Sequence, residues 1–367
     1  MASGRRSGSR CWFPHRRFAA RQAADGFTVW RSFDEPGGIR DQLIQIAQRN
    51  PGIAKLTSIG KSRHGRDLYA LRLTEGARKS RDGAKPASLY AATQHAREWM
   101  ATEMDMRLLK LCVERYLSGD KATRELLKDV ELWFAPMLNP DGYQYSFDAE
   151  RLSRKTLRDN NGDGQITVGD GVDPNRNYLN RWNYDNEGSS SDFSADSYRG
   201  PEAASEPETR AMMAFLQRMR FKFMINYHTY GQWLLYPAGW QVGTATADDP
   251  IYFALSGTRD NPAIPGFVPG PGADVLYITS GELNDYAQEV AGTLSWTPEL
   301  GEGCAGCGFV FPDDEALVQA EFERGIPFAD SIARSTEDPD DPSRASGSRP
   351  SRSFSGATTP TRTASRR

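Results

Sequence analysis

Apolar runs of six to eight residues alternate with helix-period stretches from about residue 39 to about residue 335, and this alternation restricts the chain to an α/β architecture. The strand candidates are Ala54 to Ile59, Leu68 to Thr74, Ser88 to Thr93, Glu131 to Met137, Phe221 to His228 and Thr293 to Leu300. Several are apolar throughout, as expected of strands covered by helices on both faces. Helices are expected over Ile39 to Asn50, Glu98 to Leu117, Ser205 to Arg218 and Asp313 to Ser335, the third opening with Ser205 and Glu208 in capping-box spacing. No repeat interrupts this pattern, so one domain over residues 27–335 is the simplest organisation. A basic segment, 1–26, precedes it, and a Ser/Pro/Arg-rich tail, 336–367, with little to bury, follows; both are expected to be disordered.

Charge is segregated along the chain. Residues 1–24 and 343–367 each hold six arginines and no acid; setting those twelve aside leaves 33 basic against 48 acidic residues, a body of net charge −15. Such a field disfavours nucleic acid and favours cationic ligands, or simply keeps the surface solvated. No run of 18 apolar residues is present to span a membrane, and Met1 to Ala24 lacks the apolar core of a signal peptide. Four cysteines do not make a disulfide framework in 367 residues. Cys304 and Cys307 form a lone C-x-x-C that is compatible with a redox pair, half a zinc site or a loop disulfide, and Cys112 sits in an apolar helical stretch that would bury its thiol.

Two of the four histidines stand where strand candidates end. His95 follows the strand Ser88 to Thr93 and precedes Glu98 by three residues, a spacing that can aim both side chains at one point. His228 closes the strand FKFMINYH. Two imidazoles and one carboxylate with a fourth position open form a catalytic zinc set. On spacing alone, the three could also be unrelated polar residues at loop edges.

Seven collinear segments extend this reading: QHAREW, NPDGY (139–143), RLSRKT (151–156), GVDPNRNY (171–178), NYHTYGQWLLYP (226–237), YITSG (277–281) and WTPEL (296–300). With them the chain resembles the carboxypeptidase A-like zinc metallopeptidases from about Phe27 to Ala333. The resemblance implies a single α/β/α domain with a mixed central sheet. It also implies a monomeric exopeptidase acting on the C-termini of peptides and proteins outside the cell, with one zinc held by His95, Glu98 and His228. Glu299 would be general base and then acid, Arg154 would stabilise the oxyanion, and Asp173 would fix the His95 tautomer. Asn175, Arg176 and Tyr277 would hold the substrate carboxylate, and Arg97 and Tyr230 would line the next subsite. The rival readings are a non-catalytic peptide-binding relative and a same-fold hydrolase of cell-wall peptides. Retention of His95, Glu98 and His228 together with Glu299 speaks against the first, and retention of Asn175, Arg176 and Tyr277 against the second.

The chain departs from the family pattern in three places. No folded pro-segment is expected ahead of the body. An insertion, Asp159 to Asp170, reads D-N-N-G-D-G-Q-I-T-V-G-D; Asp159, Asn161, Asp163 and Asp170 fall at positions 1, 3, 5 and 12 of an EF-hand-type loop, with the Gln165 carbonyl a further donor, so it reads as a structural calcium site or as a polar turn. In the side-chain pocket, Asn284 stands seven residues after Tyr277, where relatives place an apolar residue or an aspartate, and Glu282 stands two residues before it. A carboxylate at Glu282 would attract a cationic side chain while the neutral Asn284 leaves room for apolar ones, giving mixed preference; if Glu282 faced solvent, the preference would be apolar.

Overall fold

A computed structural model describes residues 29–167, 169–303, 309 and 314–339. Eight strands, β1 (Ala54–Lys61), β2 (Asp67–Leu73), β3 (Ala87–Ala92), β4 (Glu131–Ala135), β5 (Phe223–Thr229), β6 (Trp233–Tyr236), β7 (Val268–Pro271) and β8 (Leu294–Leu300), form one sheet in the order β1-β2-β4-β3-β5-β8-β6-β7. Its centre, β4-β3-β5-β8, is parallel; β1-β2, β2-β4 and β6-β8 pair antiparallel and β6-β7 parallel. The mixed sheet expected from the resemblance is therefore present.

The central register explains why those strands are apolar throughout. Tyr90, Phe134 and Ile225 are cross-strand neighbours within one core layer, and Leu89, Trp133 and Met224, one residue earlier on each strand, belong to the other. Successive side chains leave opposite faces, so a sheet covered twice needs an apolar residue at every position. The first layer packs under α1 (Ile39–Arg49), α2 (Trp99–Ser118) and α9 (Glu315–Ser335), and the second under α5 (Pro207–Met219) and α8 (Leu283–Glu289). Shorter helices are α3 (Lys121–Asp129), α4 (Pro140–Asp148), α6 (Asp249–Ser256) and α7 (Gly272–Val275).

The capping box at Ser205 does not form. Helix α5 begins at Pro207, Ser205 Oγ instead donates to Glu206 Oε1 (3.0 Å), and Glu208 Oε1 accepts from the Arg63 N–H (2.8 Å). Proline has no N–H to offer a cap and suits the first helical position, which moves the start two residues on. Glu208 is consequently buried with Oε2 lacking a hydrogen-bond partner. Burial, with Glu206 and Asp141 nearby, pushes its carboxyl from 4.5 up to about 7. A raised folded pKa means the native state binds more protons than the unfolded chain between those values. The stability linked to this proton is fully present below 4.5 and is lost as pH rises through about 7. Glu208→Gln is therefore expected to gain on the order of 2 kcal/mol relative to wild type between acid and mildly alkaline pH. Urea unfolding of both proteins across that range checks it; a constant difference would show that Glu208 does not titrate there.

The 1–26 segment, Cys304 and Cys307 lie outside the described residues, as does the tail beyond residue 339. Cys112 is a buried free thiol, as expected. Among the described residues no helix is long and apolar enough to cross a membrane.

Candidate metal centre and peptide cleft

Parallel strands direct their C-terminal ends to one edge of a sheet, where loops converge. His228 ends β5 directly beside Glu299 on β8, the two being cross-strand partners. On the other side β3 stops at Ala92, and Thr93, at φ 62°, turns the chain out of the sheet while its hydroxyl donates to Pro136 O (3.0 Å). The next residues are Gln94 and His95. Asn139 caps α4, its Oδ1 accepting from the Gly142 N–H (3.0 Å), and its amide donates to Gln94 O and Lys155 O, both at 3.1 Å. The Ala96 N–H donates to Arg154 O (3.0 Å). One buried asparagine thus brackets the segments that carry His95 and Arg154.

His95, Glu98 and His228 are buried, and one ligand atom from each lies within 4.8 Å of the others. Glu98 Oε1 is 2.7 Å from His95 Nδ1, Glu98 Oε2 is 2.8 Å from His228 Nδ1, and the two Nδ1 atoms are 3.1 Å apart. Two imidazole nitrogens facing each other beside a carboxylate are poorly satisfied by protons alone, whereas a divalent cation accepts both lone pairs and the negative charge. On the far side of the rings, His95 Nε2 faces Asp173 Oδ1 (3.1 Å), the pair the resemblance names, and His228 Nε2 lies beside both the Asn226 amide nitrogen (2.9 Å) and Gln94 Oε1 (3.1 Å). Burial alone would raise the Glu98 pKa, but the two imidazoles hold it low; burial would likewise raise Asp173, but Arg154 and His95 keep it well below the carboxylate range. The residues present fit a zinc ion.

Around this centre lies a cleft of about 360 Å³. Arg154 lines it with Nε and Nη2 on Asp173 Oδ2 (3.1 and 2.8 Å). Arg176 and Asn175 line it too, with Asn175 Oδ1 accepting from the Leu283 N–H (2.9 Å). Tyr277 is 52% exposed with its ring 6.0 Å from the Arg176 guanidinium carbon. Glu299 also lines the cleft, where burial pushes its carboxyl from 4.5 up to about 7; His228 opposes that rise and Glu98 adds to it. At the rim, Arg97 lies over the Phe309 ring (4.7 Å), and Tyr230 packs edge-on against the same ring (4.9 Å).

Glu282 is partly buried and lines the cleft. Its carboxylate rests against Gly239, where a Cβ would collide with Glu282 Oε1 and Thr279 Oγ1, so only glycine leaves it room. Asn284 donates to Thr297 Oγ1 (2.9 Å) while its Oδ1 is buried without a partner. The pocket therefore offers one carboxylate and one unused amide acceptor.

The insertion is the tip of a hairpin. The Thr156 N–H donates to Val172 O (2.9 Å) and the Gly171 N–H to Arg158 O (2.8 Å), so Arg154 and Asp173 lie at the base of its two arms. The acidic side chains of the tip bind its own backbone: Asp159 accepts from Gly162 and Gly164, Asn161 from Asp163, Asp163 from Gln165, and Asp170 from Asn160 and Thr167. These are Asx-turn contacts, and the polar-turn reading accounts for them. The structure lends the calcium reading no support: Gln165 enters this network through its N–H, and the described residues group three His, Cys, Asp or Glu ligands only at His95, Glu98 and His228.

The zinc carboxypeptidase family matches residues 39–322, most of the chain. The chain belongs to that family. Among curated relatives, carboxypeptidase A6 of Mus musculus is 30% identical over 78% of this chain and 63% of its own length, so the present chain spans under two thirds of it. Carboxypeptidase B of Astacus astacus is 28% identical over 80% of this chain and 93% of its own. The solved carboxypeptidase A of Helicoverpa armigera superposes with a TM-score of 0.69 at 25% identity, covering 87% of this chain and 79% of that one.

Some residues of the site were not picked out in the sequence. Gln94, Asn139 and Thr297 hold site residues through buried hydrogen bonds, and Phe309 packs on two of them. Gln94 and Asn139 stood inside the quoted segments QHAREW and NPDGY, which was their available signal; Thr297 stood likewise in WTPEL, and Phe309 had none.

Proposed function

We propose that the chain is a zinc-dependent carboxypeptidase that removes single residues from peptide C-termini, with mixed side-chain preference. The observation that carries this reading is that one cleft is lined both by the His95, Glu98, His228 trio and by Asn175 and Arg176, the donor pair suited to a free carboxylate. A zinc ion bound by the trio would supply Lewis acidity to the scissile carbonyl and to a water. Glu299 takes the proton of the attacking water and returns it to the leaving amine. Arg154, held flat against Asp173, faces the oxygen on which charge develops. Arg176 and Asn175, with Tyr277, bind the terminal carboxylate, and Arg97 and Tyr230 receive the backbone further along the peptide. Trimming of a peptide library, read by mass spectrometry with and without a chelator, tests this; absence of chelator-sensitive loss of C-terminal residues would favour a binding protein.

The pocket favours both cationic and apolar ends. Glu282 attracts Lys and Arg, Asn284 Oδ1 accepts a further donor, and no fixed charge at Asn284 rejects Leu or Phe. Glu282→Gln is expected to lower the Arg-to-Leu ratio of kcat/KM on the order of tenfold, the worth of one partly buried charge pair. Paired substrates ending in Arg and Leu measure it, and an unchanged ratio would remove Glu282 from the pocket.

A further inference from the structure

Lys155 follows Arg154, is buried, and has no carboxylate within ion-pairing distance among the described residues. Its ammonium donates instead to three backbone carbonyls, Gly169 O (3.2 Å), Phe193 O (2.7 Å) and Ala195 O (3.2 Å). Burial pulls its pKa below the ordinary lysine value. Burying an ammonium is costly, and three carbonyls converge on one only if the backbone that offers them is held in place.

Two of those carbonyls belong to a closed loop. The Ser190 N–H donates to Ser197 O (2.9 Å), the Arg199 N–H to Ser190 O (3.0 Å), and Asp192 Oδ1 accepts from the Ser194 N–H (2.9 Å). The loop is tied to the metal-centre segment because the Asp173 N–H donates to Tyr198 O (2.8 Å). Its inner side caps Lys155. Its outer side presents Asp196, 63% exposed at the side chain, whose Oδ2 accepts from Arg97 Nη1 (3.1 Å). Among the described residues the Arg97 guanidinium has one other hydrogen bond, a longer one to Leu152 O (3.3 Å), besides the Phe309 ring.

We infer that Lys155 and Asp196 are positioning residues for Arg97: the ammonium fixes the 193–195 backbone, which sets Asp196 at the rim, and Asp196 aims the Arg97 guanidinium into the cleft. This rests on the reading of the cleft as a peptide site. The consequence is specific to substrate length, because only a peptide that extends past the scissile bond far enough to reach Arg97 benefits from its orientation.

The test compares kcat/KM for an N-blocked dipeptide and an N-blocked tetrapeptide sharing their last two residues. Asp196→Asn, a change at an exposed side chain that leaves folding intact, is expected to lower the tetrapeptide-to-dipeptide ratio on the order of tenfold, the worth of one charge-assisted hydrogen bond, mainly through KM. Lys155→Met is expected to lower it in the same sense, and Arg97→Met combined with Asp196→Asn to lower it no further than Arg97→Met alone. A ratio that falls in Arg97→Met but is unchanged in Asp196→Asn overturns the inference and leaves the peptide-site reading standing. A ratio unchanged in Arg97→Met, or a wild type that cleaves neither peptide, overturns the peptide-site reading at Arg97 and the inference with it.

Discussion

Glu299→Gln is expected to retain one equivalent of zinc and to lose on the order of 10²-fold or more in kcat. Glu299 stands at the end of β8 as the cross-strand partner of His228, yet belongs to none of the three ligand positions. Removing its charge therefore leaves the metal ligands in place. Its environment suits a group that must hold and release a proton, since burial pushes its carboxyl up to about 7 from 4.5. The glutamine keeps the shape of the side chain but cannot take a proton from water. Metal content measured beside turnover separates the two roles. Near-normal kcat at full zinc occupancy would mean that another group moves the proton; lost zinc would mean that Glu299 belongs to the metal shell.

Loss of the metal should be the second large effect, visible in stability as well as activity. Without an ion, the two Nδ1 atoms 3.1 Å apart and the Glu98 carboxylate must share protons in a buried site. A ligand present at a thousand times its Kd that binds only the folded state adds about 4 kcal/mol. Chelation is therefore expected to lower the Tm of the wild type and abolish turnover, with zinc restoring both. His228→Ala should be inactive, and its Tm should be indifferent to chelator and zinc alike. A wild-type Tm that ignores the chelator while activity disappears would mean that zinc does not bind the folded chain in preference to the unfolded one.

How much was legible depended on what each residue had to do locally. The six long strands were readable because burial on both faces demands apolar residues at every position, and the register of Tyr90, Phe134 and Ile225 against Leu89, Trp133 and Met224 shows why. Strands β6 and β7 were not. WLLY is only four residues long and VPGP holds two prolines, so neither carries the length or composition of a strand; β6 forms because β8 offers it an edge to pair with, and β7 because β6 in turn does. The helix at Leu283–Glu289 went unseen because pocket residues interrupt its apolar pattern. In the site, the charged residues were legible because their chemistry is restrictive. Asn139 and Lys155 were not singled out, since holding a backbone segment by carbonyl contacts leaves no signature in a residue type.

The hairpin that joins Arg154 to Asp173 separates two things that are usually linked, the length of a connection and the geometry at its ends. Its arms are locked by the Thr156 and Gly171 backbone bonds, and by Glu206, which accepts from both Thr156 Oγ1 (3.0 Å) and Arg158 Nη1 (3.2 Å). Beyond that clasp the first half of the loop, Asp159 to Gly164, satisfies its side chains on its own backbone, while the returning half is tied to the body through Ile166 O, which accepts from Tyr145 Oη (3.2 Å), and Gly169 O, which accepts from Lys155 Nζ (3.2 Å). Lengthening a closed loop costs only about 0.6 kcal/mol per doubling. The turn from Asp159 to Gly164 is thus an adjustable spacer, a graft point where a lineage or an engineer can splice in a new recognition element some residues away from the reacting atoms without retuning them.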